Sequence, residues 1–130
     1  MRGRSAGLLS DILDECDFLM AHAYGVTLEQ YQSDEVLHRS IERAFEIIGE
    51  AAHKLHDTDP GTARRLPNAR GLVAFRNLII HGYNRIDDER LLDTLERDVP
   101  ELRDAVRALL GPSHRSLLDR HRESRPPRPD

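Results

Sequence analysis

Apolar residues recur every three or four positions along most of this chain, and this spacing decides the class of fold. The longest run comprises Leu37, Ile41, Ala44, Phe45, Ile48, Ala51, Ala52 and Leu55. No segment alternates apolar and polar residues with the period of two that a half-buried strand requires. Tryptophan is absent and aromatic residues make up only 5%, so aliphatic side chains must build the core. We therefore predict an all-α fold, a small up-down helical bundle.

Capping residues indicate where the helices begin. Thr27 and Gln30 have the spacing of a capping box that opens a short helical turn. Ser33 is expected to cap the long helix that carries the apolar run. Asp98 is a typical N-cap residue, and Pro100 is typical of the first turn of a helix. Together they predict the start of a separate last helix.

The bundle is expected to occupy residues 1–111 as one domain. Residues 112–130 are rich in Arg and Pro, and we expect a flexible tail with helical character around Leu117 and Leu118. Gly49 interrupts the long helix and should cost about 1 kcal/mol relative to Ala. Its expected reason is the close approach of another helix, from this chain or from a partner chain.

Composition limits the classes of function. The formal net charge of −4 argues against a large, sequence-tolerant DNA-binding surface, but it leaves room for one small basic cleft. Cys16 is the single cysteine, so it forms no internal disulfide. The first residues lack the apolar stretch of a signal peptide or a membrane span. These features predict a cytoplasmic protein that does not enter a membrane.

The most informative segment runs from Phe75 to Tyr83, where Arg76-Asn77 and His81-Gly82-Tyr83 bracket apolar residues. An arginine is a permanent cation for a phosphate, and a histidine can transfer protons near neutral pH. Positions five apart on an ideal helix point about 140° away from each other. Either His81 therefore lies past the helix end and curls back, or the site takes Arg76 and His81 from two chains.

Three segments of the chain resemble the HepT-like members of the HEPN superfamily of ribonucleases. They are the Arg76-to-Tyr83 motif, the Gly49-containing stretch at 46–51 and the stretch at 98–102, within a similarity spanning about 8–110. The chain departs from the family pattern at Ala69, where members often carry Trp, and at Ala74, where they often carry Gly. Both changes concern packing more than chemistry.

The resemblance implies a homodimer with its active sites at the subunit interface, and metal-independent RNA cleavage without a cofactor. Arg76 would bind the scissile phosphate, His81 would transfer protons, and Asn77 would orient the histidine or a phosphate oxygen. The resemblance further implies a toxin of a toxin–antitoxin pair. Its antitoxin would be a minimal nucleotidyltransferase that transfers AMP to Tyr83.

Two other interpretations compete with the ribonuclease. The first is a non-catalytic HEPN module that binds a nucleotidyltransferase partner or a nucleotide. The second is a metal centre built from the Glu35–His38 and Glu50–His53 pairs, whose spacing puts each pair on one helix face. Both pairs lie on the same helix about 22 Å apart, whereas one bundle site needs them on different helices. We therefore predict no metal site.

Overall fold

The computed structural model of the protein describes residues 3–81 and 88–126, and this part of the chain forms helices without strands. The helices are α1 (Gly3–His22), α2 (Leu28–Ser33), α3 (Glu35–Thr58), α4 (Pro60–Ala63), α5 (Ala69–His81), α6 (Asp88–Leu110) and α7 (Leu117–Ser124). The predicted all-α class is confirmed. None of these helices is long and apolar enough to cross a membrane.

Helix α3 lies at the centre of the bundle, where it packs against α1 on one side and α5 on the other. Helix α6 covers α1 from outside. The start of α1 meets the end of α3, since the Ser5 hydroxyl donates to the Asp59 carboxylate at 2.7 Å. All residues of the long apolar run are buried except Leu37, which is partly buried. The helical spacing therefore identified the face of α3 that forms the core.

The caps around α2 and α3 confirm one expected boundary and correct another. The Thr27 hydroxyl accepts from the Gln30 amide, and the Gln30 side chain accepts from Thr27 in return. The prediction for Ser33 was wrong, because Ser33 is the last residue of α2. Asp34 is the N-cap of α3, and its carboxylate accepts from the Leu37 amide at 3.1 Å.

The prediction of a separate last helix beginning near Asp98 was wrong. Helix α6 is continuous, with Pro100 inside it. A buried stripe at four- and three-residue steps passes through the proline, formed by Leu91, Leu95, Val99, Leu102 and Val106. Burial of five such side chains outweighs the single hydrogen bond that proline removes. Asp98 does not cap a helix; its carboxylate accepts from Asn68 before α5 at 2.8 Å.

The segment after α6 contains α7, which lies against α1. The Leu117 amide donates to the Asp14 carboxylate at 2.8 Å. Buried Ser116 forms a capping box with Asp119. The division of the chain near position 111 stays a prediction, and so does the flexibility expected for the tail.

Asp17 is a buried carboxylate that joins α1 to α6. Its side chain has no exposed surface and pairs with the guanidinium groups of Arg103 and Arg107. The hydrogen bond to Asp17 raises the pKa of Arg103, although partial burial acts in the opposite direction. Arg107 also reaches Asp119 on α7 at 3.4 Å. One buried charge therefore organises the contacts of three helices.

Candidate active site

Helix α5 carries the predicted site. It runs from Ala69 to His81. Arg76 and Asn77 lie in its second half, and His81 is its last residue. The side chain of His81 and the whole of Gly82 and Tyr83 lie outside the described residues. Of the predicted site residues, the structure therefore shows contacts of Arg76 and Asn77.

Arg76 and Asn77 form a hydrogen-bonded pair. The guanidinium Nη1 of Arg76 donates to the amide oxygen of Asn77 at 2.9 Å. Arg76 is half-buried, whereas Asn77 is exposed. The Nε of Arg76 is buried and has no hydrogen-bond partner among residues 3–81 and 88–126. A guanidinium has five N–H donors, so Asn77 uses only part of this capacity.

Gly49 leaves room for the aliphatic part of the Arg76 side chain to pack against α3. A β-carbon added at Gly49 would lie 2.5 Å from the Arg76 β-carbon and 2.7 Å from the carbonyl oxygen of Leu72. Real side chains do not approach so closely, so only glycine lets α3 and α5 come together here. The predicted close approach is confirmed, and the approaching helix belongs to the same chain. The side chain of Arg76 therefore leaves α5 against the backbone of α3.

The backbone of α5 is helical through position 81. Positions 76 and 81 are therefore about 140° apart around one continuous helix. This geometry disfavours a site in which His81 curls back past the helix end of the same chain. It agrees with the other alternative, in which two chains each supply one of the two side chains.

The carboxylates and histidines of α3 are engaged in pairs that do not resemble a metal centre. Glu50 pairs with Lys54 at 3.4 Å, and His53 pairs with Asp57 at 3.5 Å. Glu35 pairs with Arg39 at 2.8 Å. Within the described ranges, no group of three or more His, Cys, Asp or Glu side chains is placed to hold a metal ion.

Cys16 and Tyr31 are reactive residue types that the fold makes inert. Both side chains belong to the core, and both are almost completely buried. Burial raises the pKa of the Cys16 thiol, and the nearby Asp17 carboxylate adds to the effect. Burial also raises the pKa of the Tyr31 hydroxyl. Because the thiolate is the reactive form of cysteine, Cys16 is not a nucleophile here.

Comparison with known proteins identifies the family of this chain. A family model described as "Ribonuclease HepT-like" matches residues 12–109. "Putative RNase TTE0752" of Caldanaerobacter subterraneus is 31% identical over 102 residues, covering 78% of this chain and 90% of the relative. "Probable ribonuclease HepT" of Thermococcus cleftensis is 29% identical over 98 residues, covering 73% and 86%. No solved structure matches significantly. The match over three quarters of the chain shows that this protein belongs to the HepT-like ribonuclease family.

Proposed function

We propose that this chain is a metal-independent RNA endonuclease with Arg76 and His81 in its active site. The observation that carries the proposal is the Arg76–Asn77 pair on α5, fixed against Gly49 in a chain of a ribonuclease family. Asn77 occupies one N–H of the guanidinium and leaves other donors for phosphate oxygens. An arginine oriented in this way recognises a phosphate with defined geometry and not only as a charge.

The reaction is an internal transesterification of RNA. His81 takes the proton from a ribose 2′-hydroxyl, whose oxygen attacks the adjacent phosphorus. The bond from phosphorus to the 5′-oxygen breaks, that oxygen takes a proton from water, and the protonated His81 returns its proton to the solvent. Arg76 stabilises the negative charge that builds on the phosphate oxygens during the step. The products are a 2′,3′-cyclic phosphate and a 5′-hydroxyl.

One site needs two copies of this chain, because Arg76 and His81 of one helix point in different directions. In a homodimer with α5 near the two-fold axis, Arg76 of one subunit lies close to His81 of the other. The angle of about 140° between the two positions then allows Arg76 to face one composite site and His81 of the same subunit to face the other. The proposed enzyme is therefore an obligate dimer with composite sites.

Cleavage of a single-stranded RNA in the presence of chelator tests this function. The purified protein should produce 2′,3′-cyclic phosphate ends. Arg76→Ala should reduce the rate by about 10²-fold or more, and His81→Ala by about 10²- to 10⁴-fold. The matched control is Arg97→Ala, which removes an exposed arginine on α6 that pairs with Asp93. Activity retained by His81→Ala, or cleavage of an RNA with 2′-O-methyl at the cut site, would contradict the mechanism.

The proposed biological setting is a cytoplasmic toxin–antitoxin pair. A minimal nucleotidyltransferase antitoxin joins AMP to the Tyr83 hydroxyl, which attacks the α-phosphorus of ATP and releases pyrophosphate. The added nucleotide places bulk and negative charge two residues from His81, where it competes with the RNA phosphate. Mass spectrometry after co-expression should find the adenylyl mass on the peptide containing Tyr83. An unmodified peptide from inactive toxin would show that binding alone neutralises it.

The alternative function is a non-catalytic module that binds the nucleotidyltransferase partner or a nucleotide. It predicts no RNA cleavage by the wild-type protein, and equal partner binding by Arg76→Ala and His81→Ala. The cleavage experiment with chelator separates the two functions. Only an enzyme would cleave RNA and lose this cleavage in Arg76→Ala and His81→Ala.

A further inference from the structure

A cleft lined by basic side chains lies between α3, α4 and α5, outside the candidate pair. Its volume is about 530 Å³, within the range of pockets that bind small organic ligands. Four basic side chains line it: His53 and His56 from α3, Arg64 after α4 and Arg70 from α5. All four are exposed, so the cleft opens to solvent. Two of these side chains, Arg64 and Arg70, carry a permanent positive charge.

The floor of the cleft is apolar. Ala52 and Ala63 are buried, and Val73 is partly buried. Asn68, which also lines the cleft, has a positive φ of 54° at the start of α5. A cavity with an apolar floor and a basic rim suits a ligand that has both a flat hydrophobic part and an anionic part.

Some exposed arginines of the protein pair with a carboxylate, and others do not within the described ranges, among them Arg64, Arg65, Arg70, Arg120 and Arg122. Arg39, Arg43, Arg97 and Arg115 each pair with a carboxylate on their own or a neighbouring helix segment. Arg64 and Arg70 are found in no ion pair within the described part of the chain. Of the four basic groups in the cleft, His53 has a carboxylate partner, Asp57, at 3.5 Å. The two guanidinium groups are therefore available for an external anion.

Helix α5 connects the cleft to the candidate active site. Arg70, Val73 and Asn77 follow each other at steps of three and four residues, so they lie along one face of the helix. Asn77 accepts the hydrogen bond from Arg76. Six residues separate Arg70 from Arg76, about 9 Å along the helix axis. At a rise of about 3.4 Å per stacked nucleotide, two or three nucleotides span that distance.

We propose that this cleft binds a nucleotide two or three positions away from the scissile phosphate of single-stranded RNA; the inference rests on the proposed function. Arg64 and Arg70 bind the phosphate of that nucleotide. Its base stacks on the imidazole of His53 or His56 and covers the apolar floor, as bases do in other proteins that bind single strands. The cleft therefore makes the enzyme prefer substrates that extend beyond the cut site.

Binding of a 2′-O-methyl RNA 12-mer tests the cleft without cleavage, because this RNA lacks the attacking hydroxyl. Arg64→Ala/Arg70→Ala should weaken binding in about 0.1 M salt by roughly tenfold. Loss of this phosphate contact should also reduce the slope of log K against log salt by about 0.7. Thermal unfolding of the double variant establishes that it is folded, and Arg64→Lys/Arg70→Lys should keep most of the affinity.

The matched control is Arg120→Ala/Arg122→Ala, which removes two exposed arginines of α7 that also have no ion pair in the described part of the chain. Equal weakening by this control would overturn the proposal, since the effect would then be general surface charge. Equal competition by an acidic peptide of the same charge would also overturn it in favour of a protein partner.

Cleavage kinetics separate the cleft from the proposed activity. The Arg64→Ala/Arg70→Ala variant should raise KM for a cleavable 12-mer about tenfold while it cleaves a dinucleotide at the wild-type rate, because a dinucleotide does not reach the cleft. A variant that loses both activities equally would contradict the proposal. A wild-type protein that binds RNA through the cleft but cuts none would refute the enzyme and leave the binding site standing.

Discussion

Gly49 lies where helix α3 comes closest to the stem of Arg76. Its missing side chain allows the Leu72 carbonyl and the Arg76 β-carbon to pack against the backbone of α3. In the middle of a helix, glycine costs about 1 kcal/mol relative to alanine. The close approach that glycine permits fixes the position of the Arg76 side chain. At this residue, stability and the candidate site therefore depend on the same atoms.

Gly49→Ala should lower both stability and cleavage. Alanine has a better helix propensity than glycine, but its β-carbon would lie 2.5 Å from the Arg76 β-carbon. Overpacking of this kind costs about 1–3 kcal/mol in the free energy of unfolding, and it shifts the arginine. Urea denaturation and RNA cleavage measure the two effects.

Gly7→Ala is the matched control, because a β-carbon added at Gly7 on α1 would meet nothing within 4 Å. It should raise the free energy of unfolding by about 0.5–1 kcal/mol and leave cleavage unchanged. If Gly49→Ala behaves like Gly7→Ala, the close packing described above is wrong.

At the scale of elements, Asp59 joins three helices. It follows α3, caps α4 by accepting from the Thr62 amide at 3.2 Å, and accepts from Ser5 of α1 at 2.7 Å. The Thr62 hydroxyl donates to the same carboxylate at 2.7 Å. These hydrogen bonds, from Thr62 first and then from Ser5, hold the pKa of Asp59 below its ordinary value of 3.8. The ionised form of Asp59 therefore stabilises the junction.

The contribution of Asp59 should depend on pH with a definite sign. Because its pKa is lower in the folded state, its stabilisation is fully present well above the ordinary pKa of 3.8 and is lost as pH falls through the folded value. Asp59→Asn should therefore be less stable than wild type at pH 6, and the difference should shrink towards pH 3. Chemical denaturation at each pH measures it.

Asp57→Asn controls for the loss of one negative charge, because Asp57 lies exposed on the last turn of α3. The account of the junction fails if the difference between Asp59→Asn and wild type is the same at pH 6 and pH 3. It also fails if Asp57→Asn shows the same pH dependence.

At the scale of the whole molecule, the continuous helix α5 favours the proposal that one site is built from two chains. The Arg76 position lies on one face of α5 and the His81 position on another. The cleft at the start of α5 then extends each composite site along one subunit. In the proposed complex, Arg64 and Arg70 would bind RNA on the subunit that supplies Arg76.

Mixing two inactive variants should restore activity if the sites are composite. In a heterodimer of Arg76→Ala and His81→Ala subunits, one of the two sites contains both native side chains. Random exchange makes half of the dimers heterodimers, so about a quarter of the wild-type activity should return. Activity that stays at the level of the separate variants would place Arg76 and His81 of one site in the same chain. Co-expression with two tags supplies the purified heterodimer as a positive control.

Local patterns predicted the parts of this fold that depend on neighbours in sequence. The apolar spacing located the buried face of α3, and the spacing of Thr27 and Gln30 located a capping box. The same reasoning failed at Pro100, where the local signal indicates a helix start. The buried stripe on both sides of the proline is a property of the whole of α6, and its burial depends on α1.

The sequence by itself determined the helical class, the core faces, the family and the α5 segment that carries Arg76, Asn77 and His81. These follow from periodicity and short motifs, which are local in the chain. Only the tertiary structure decided that Gly49 admits α5 of the same chain and that α6 is one helix. It also brought His53, His56, Arg64 and Arg70 into one cleft. Those features depend on the packing of helices far apart in sequence, and no local pattern specifies which faces meet.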